Sequence, residues 1–98
     1  MAKVIFAIKY EVIEEKTKEF LDVVRELKNI VKAEGLESYS VYSVKGKKNV
    51  YEEIYVFESM EAYDNYDDVA DERAEILMNK LAALVKPSST EYLTLTEI

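Results

Sequence analysis

Glu53, Tyr55 and Phe57 alternate along one short run, YEEIYVF, and Tyr63 and Tyr66 follow within the next nine residues. If that run is a strand, a period of two places the carboxyl and both rings on one face and turns Glu52 to the other. Burial raises a carboxylic acid toward the range where it exchanges protons near neutral pH, which would make Glu53 a conditional base. The alternative is that this face meets water near the strand end, or that Glu53 pairs with a lysine across a hairpin. A phenol such as Tyr66, with an ordinary pKa of about 10, donates a hydrogen bond but seldom accepts a proton at neutral pH. Phe57, Tyr63 and Tyr66 can stack on an aromatic ligand or simply fill a core.

The rest of the inventory narrows the chemistry. The chain has no histidine and no cysteine, which removes the usual neutral-pH base, the commonest zinc ligand, thiolate metal sites, disulfides and a cysteine nucleophile. Asp64, Asp67, Asp68, Asp71, Glu72 and Glu75 form an acidic run that reads either as a hard-cation site or as a solvated helix-start face. YEEI at Tyr51–Ile54 matches a phosphotyrosine-recognition peptide, but a strand encloses it. No glycine-rich phosphate loop, nucleotide fingerprint, nucleophile elbow or metal-ligand cluster occurs, so no cofactor and no metal are expected.

These residues need elements to hold them. Lys3–Tyr10 sets Val4, Phe6, Ile8 and Tyr10 against Ile5 and Ala7, a strand that is apolar on both faces. From Glu14 to Glu34 the positions Phe20, Val23, Val24, Leu27, Ile30 and Val31 recur at helical spacing, and Gly35 stands where a left-handed cap belongs. Leu36–Lys45 and Val50–Glu58 are β-prone and joined by a turn at GKKN, so they should pair as a hairpin. Ser59 is an N-cap by type, with Glu61 in the first turn. The second helical region should break near Asp67 and Asp68 and continue through Ala70, Ala74, Leu77, Met78, Leu81, Leu84 and Val85 until Pro87 ends it. Thr90–Glu97 reads as the last strand.

The order βαββαβ is a ferredoxin-like α+β arrangement, a four-stranded antiparallel sheet with helices on one face. Residues 1–98 make one domain on this reading. The opposite face carries Ile5, Ala7, Tyr42, Val44, Ile54, Val56, Leu93 and Leu95. The simplest cover for it is the same sheet from a second chain, a homodimer through the open face.

The join YVFESMEAYDNY, Tyr55–Tyr66, resembles a motif of the antibiotic biosynthesis monooxygenase-like group of the dimeric α/β-barrel superfamily, roughly E-x-W-x-S-x-E-A-x-x-x-H. Ser59, Glu61 and Ala62 match; Tyr55, Phe57 and Tyr66 stand where that pattern has an acid, a tryptophan and a histidine. GLESYSVY at Gly35–Tyr42 is similar to the group's glycine-led second strand. The resemblance implies a dimeric α/β barrel whose pocket, between sheet and helices, hosts a flat aromatic molecule oxidised by dioxygen without metal or flavin. It would put Tyr55, Phe57 and Tyr63 against the substrate, with Tyr66 hydrogen-bonding an oxygen beside Glu53. Without the histidine, a faithful copy of a histidine-dependent mechanism is excluded. The alternative is a non-catalytic small-molecule-binding or structural dimer.

A formal charge of −7 argues against nucleic acid, whose binding rests on clustered Lys and Arg. The first residues form too short an apolar run for a signal peptide, and nothing reaches the roughly 20 apolar residues of a membrane span. A cytoplasmic protein is expected.

Overall fold

The computed structural model describes residues 2–66 and 71–98. Strands β1 (Val4–Glu11), β2 (Leu36–Ser43), β3 (Val50–Phe57) and β4 (Glu91–Thr96) form one antiparallel sheet in the order β2-β3-β1-β4. Helices α1 (Thr17–Ile30), α2 (Met60–Asn65) and α3 (Glu72–Ala82) fill the connections, the ferredoxin-like α+β topology that the sequence predicts.

Register decides which side chains share a face. Val4, Phe6, Ile8 and Tyr10 of β1 lie opposite Phe57, Tyr55, Glu53 and Tyr51 of β3. Tyr39 and Val41 of β2 lie opposite Tyr55 and Glu53. This face meets the helices. Phe20, Val23, Val24 and Leu27, the buried stripe of α1, and Leu77 and Leu81 of α3 join Val4, Tyr10, Tyr39, Tyr55 and Phe57 in one core. Phe20 anchors the arrangement, its ring centroid 4.7 Å from Tyr51 and 5.8 Å from Tyr10.

Two boundaries differ from the sequence expectation. α1 begins after a 3-10 turn at Glu14–Lys16 and stops at Ile30, because Val31 turns extended while its side chain stays in the core. Gly35 is therefore not the helix cap. It has φ +82° in the turn before β2, where Leu36 N donates to Ala33 O at 3.1 Å. α3 likewise stops at Ala82: Leu84 is buried outside the helix, its carbonyl accepts from Ile13 N at 2.9 Å, and Val85 bridges Val12. Packing beside Val12 and Ile13, just after the end of β1, reproduces helical spacing without a helix.

Ser59 caps α2, its hydroxyl accepting from Ala62 N at 3.1 Å, and Asp71 caps α3 through Ala74 N at 3.0 Å. The expected break at Asp67 and Asp68, and Ala70 of the helical stripe, lie outside the described residues. Among the described residues no helix is long and apolar enough to cross a membrane.

The second face of the sheet is uncovered. Ile5, Ile54 and Val56 are partly exposed, while Tyr42, Leu93 and Leu95 are 57%, 54% and 47% exposed.

Candidate functional site

β3 is the backbone of the site. Its alternation sends Tyr51, Glu53, Tyr55 and Phe57 toward the helices, and Glu53 arrives there 2% exposed. Of the positions open to it from sequence, this is the buried one. Its direct cross-strand partners are Ile8 and Val41, neither able to hydrogen-bond a carboxyl. Help comes from the diagonals, two residues along each neighbouring strand, which long aromatic side chains span. Tyr39 reaches from β2 and donates its hydroxyl to Glu53 Oε1 at 2.7 Å. Tyr10 comes from β1, 2% exposed, and its hydroxyl approaches the same carboxyl without closing a hydrogen bond to any group.

The electrostatics follow from that setting. Burial pushes Glu53 above the ordinary carboxylate range, and the hydroxyls of Tyr39 and Tyr10 oppose this only in part. Burial and the nearby Glu53 charge push both phenols upward, so Tyr10 and Tyr39 remain hydroxyl donors at working pH. No lysine pairs with Glu53 across the hairpin; Lys48 reaches Glu14 instead, at 2.6 Å.

Glu53 and Tyr10 form the floor of a cleft of about 260 Å³ between the sheet and the chain that leaves α3. Ile8, Leu81, Val85 and Tyr92 make apolar walls, and Lys86, Pro87, Ser88 and Thr90 form the rim. The rim is pinned to β1: Lys86 N donates to Glu11 O at 2.8 Å, Lys86 Nζ lies 2.7 Å from Glu11 Oε2, and Glu11 N donates to Ser89 Oγ at 3.1 Å. Ser88 holds φ +64°, a left-handed backbone that costs a non-glycine residue energy.

The four aromatic candidates lie elsewhere on the same face. Tyr55 and Phe57 are 3% and 1% exposed, and Phe57 packs edge-on to Tyr63 at 5.6 Å and to Tyr66 at 5.3 Å. Tyr66 also lies 5.8 Å from Tyr55. Phe6 extends this knot to the edge strand, meeting Tyr63 at 6.0 Å and stacking on Tyr92 at 6.1 Å. The structure thus brings Tyr55, Phe57, Tyr63 and Tyr66 together and sets Glu53 apart at the cleft. Tyr10, Tyr39, Tyr92 and the rim were not singled out from sequence. The two partners of Glu53 become visible only once strand register is known, and the rim has no sequence signal beyond Pro87.

Of the acidic run, Asp71 is a helix cap and Asp67 and Asp68 lie outside the described residues. Among the described residues no three acids converge as a metal site.

A family model described as antibiotic biosynthesis monooxygenase matches residues 3–71. A conserved protein from Methanosarcina mazei Go1 superposes with a TM-score of 0.82 at 18% identity, covering 100% of this chain and 95% of that one. A mutant of a cofactor-independent oxygenase from Streptomyces nogalater superposes at 0.71 with 19% identity, covering 95% and 90%. A structure from Nitrosomonas europaea that carries the family's name reaches 0.78 at 9% identity, covering 98% and 90%. At these identities the likeness is one of fold. No curated protein matches the chain.

Proposed function

The chain belongs to the antibiotic biosynthesis monooxygenase family, and from that premise we propose that it is a homodimer that binds a small aromatic molecule between its sheet and helices. The observation that carries the binding reading is the cleft itself: a buried acid and an unpartnered hydroxyl beneath apolar walls. Natural cores pair such groups, and a hydroxyl left without a partner beside a buried acid at the floor of an opening suits a ligand that completes it.

The dimer rests on the open face. Leu93, Leu95, Ile5, Val56 and Tyr42 form an apolar surface that one chain leaves in water, and a shallow hollow of about 290 Å³ lies among Lys3, Ile5, Val56 and Leu95. A two-fold axis would bring each patch against its copy. Replacing Leu93 and Leu95 together by glutamate should weaken association at least about a hundredfold, since apolar contact is lost and like charges meet across the axis. Native mass spectrometry reads this as dimer for the parent and monomer for the variant. A parent that is monomeric at micromolar concentration would remove the barrel.

A second reading is favoured by the fold shared with the Streptomyces nogalater oxygenase: oxidation of an electron-rich aromatic by dioxygen with no cofactor. A phenol and dioxygen then give a quinone and water, the substrate supplying all four electrons. Glu53 takes the phenolic proton at the cleft, and Tyr66, in the aromatic cluster set apart from it, hydrogen-bonds an oxygen at the far end of the substrate. Tyr63 meets the ring, while the buried Tyr55 and Phe57 hold Tyr63 and Tyr66 in place. Dioxygen uptake with a panel of naphthols tests it. Glu53→Gln with Tyr66→Phe should lower turnover at least about a hundredfold; unchanged uptake would end this reading and leave binding alone.

A further inference from the structure

We infer that the cleft under the Lys86–Thr90 rim receives a small organic amine in its protonated form, held by Glu53 and Tyr10. This deepens the binding reading above by naming the charge class of the ligand, and it rests on that reading.

The floor offers oxygen and no nitrogen. Tyr39 occupies Glu53 Oε1 at 2.7 Å, which leaves the other carboxylate oxygen for a ligand, and the Tyr10 hydroxyl, buried and unpartnered, can accept from a second N–H. An ammonium carries three donors and no acceptor, the complement of that floor. Among the described residues no cation already serves this role: Lys86, the basic residue of the rim, is exposed and lies 2.7 Å from Glu11. The aromatic rings of Tyr10 and Tyr92, which line the cleft, suit the positive charge and the apolar stem of an arylalkylamine. A chain with formal charge −7 and one buried carboxyl at the base of a cleft concentrates cations there and repels carboxylates.

The titratable groups around Glu53 are Tyr39 from β2, Tyr10 from β1, Tyr55 beside it on β3, Tyr92 from β4 and Lys86 on the rim. Tyr10 and Tyr39 lose their protons only above the ordinary phenol range, and the Glu11 carboxylate holds Lys86 cationic, so they stay fixed while Glu53 titrates. An ammonium selects the ionised acid. Its affinity therefore rises with pH, about tenfold per unit below the folded-state pKa of Glu53, and levels off above it.

The experiment is calorimetric titration of the full chain with benzylamine, benzyl alcohol and benzoate between about pH 5 and pH 8. Benzylamine should bind at least about tenfold tighter than benzyl alcohol at the upper end, lose that advantage on acidification, and lose it at every pH in Glu53→Gln. A thermal melt confirms that the variant folds; should it not, the pH slope of the parent decides. Benzyl alcohol binding as well as benzylamine, a preference that survives Glu53→Gln, or tightest binding of benzoate would overturn the amine and leave a small-molecule cleft. Binding of none of the three would overturn both the amine and the cleft as a ligand site.

Discussion

Gly35→Val is expected to destabilise the protein by about 2–5 kcal/mol, read as a large fall in denaturation midpoint. Two costs combine. The residue has φ +82°, which a β-branched side chain resists, and a Cβ built there would overlap the Ala62 Cβ and stand 3.5 Å from the Ala62 Cα. Neither side can give way easily. Gly35 O accepts from Glu58 N at 2.9 Å, and Ala62 sits in the first turn of α2, whose start is fixed by the Ser59 cap. Gly46 separates the two terms, because it has φ +83° with no atom within 4 Å of a built Cβ. Gly46→Ala should cost only about 1 kcal/mol, the conformational part. Gly35→Ala should cost clearly more, and Ala62→Gly should return part of the difference in a double-mutant cycle. Equal losses at the two glycines would show that the α2 contact carries no strain.

That contact also explains what the sequence could and could not disclose. The small residues at Gly35 and Ala62 belong together because the start of β2 presses against α2, a long-range fact that neither local pattern contains. Local patterns were sufficient for β1 and β3, where alternation and β-branched residues agree, and for α2, where Ser59 supplies the missing acceptor. They misled at Val31, Leu84 and Val85, apolar residues at helical spacing that are packed from turns, since burial and helix are separate conditions. The open face was legible because neither side of the strands is consistently polar. Glu53 stood out as an acid among apolar neighbours, but its environment depended on register. Only the diagonal approach of Tyr39 and Tyr10, one from each flanking strand, turns a strand glutamate into a buried acid at a cleft floor.

That acid should make the protein less stable as pH rises. Burial is the leading effect on Glu53 and lifts its folded-state pKa above the unfolded value, so the folded chain holds the proton more tightly than the unfolded one. Between the ordinary carboxylate pKa of about 4.3 and the raised folded value, the folded state binds more protons, and stability falls with increasing pH; above that window the loss is complete and constant. Glu53→Gln removes the titration while keeping shape. Its carbonyl oxygen can accept from Tyr39 as Oε1 does, and its amide can donate to the Tyr10 hydroxyl that now lacks a partner. The variant should match the parent near pH 4 and exceed it by about 1–3 kcal/mol at pH 8, the order of an uncompensated buried polar group. Denaturant titrations at the two pH values measure the difference. If Glu53→Gln were instead less stable at pH 8, the tyrosine hydroxyls would outweigh burial, and the acid would be an ordinary satisfied anion of the core. A gain on substitution would mean that the fold is most stable without the group that forms its cleft floor, and a destabilising acid at an opening is what a binding or proton-transfer site requires.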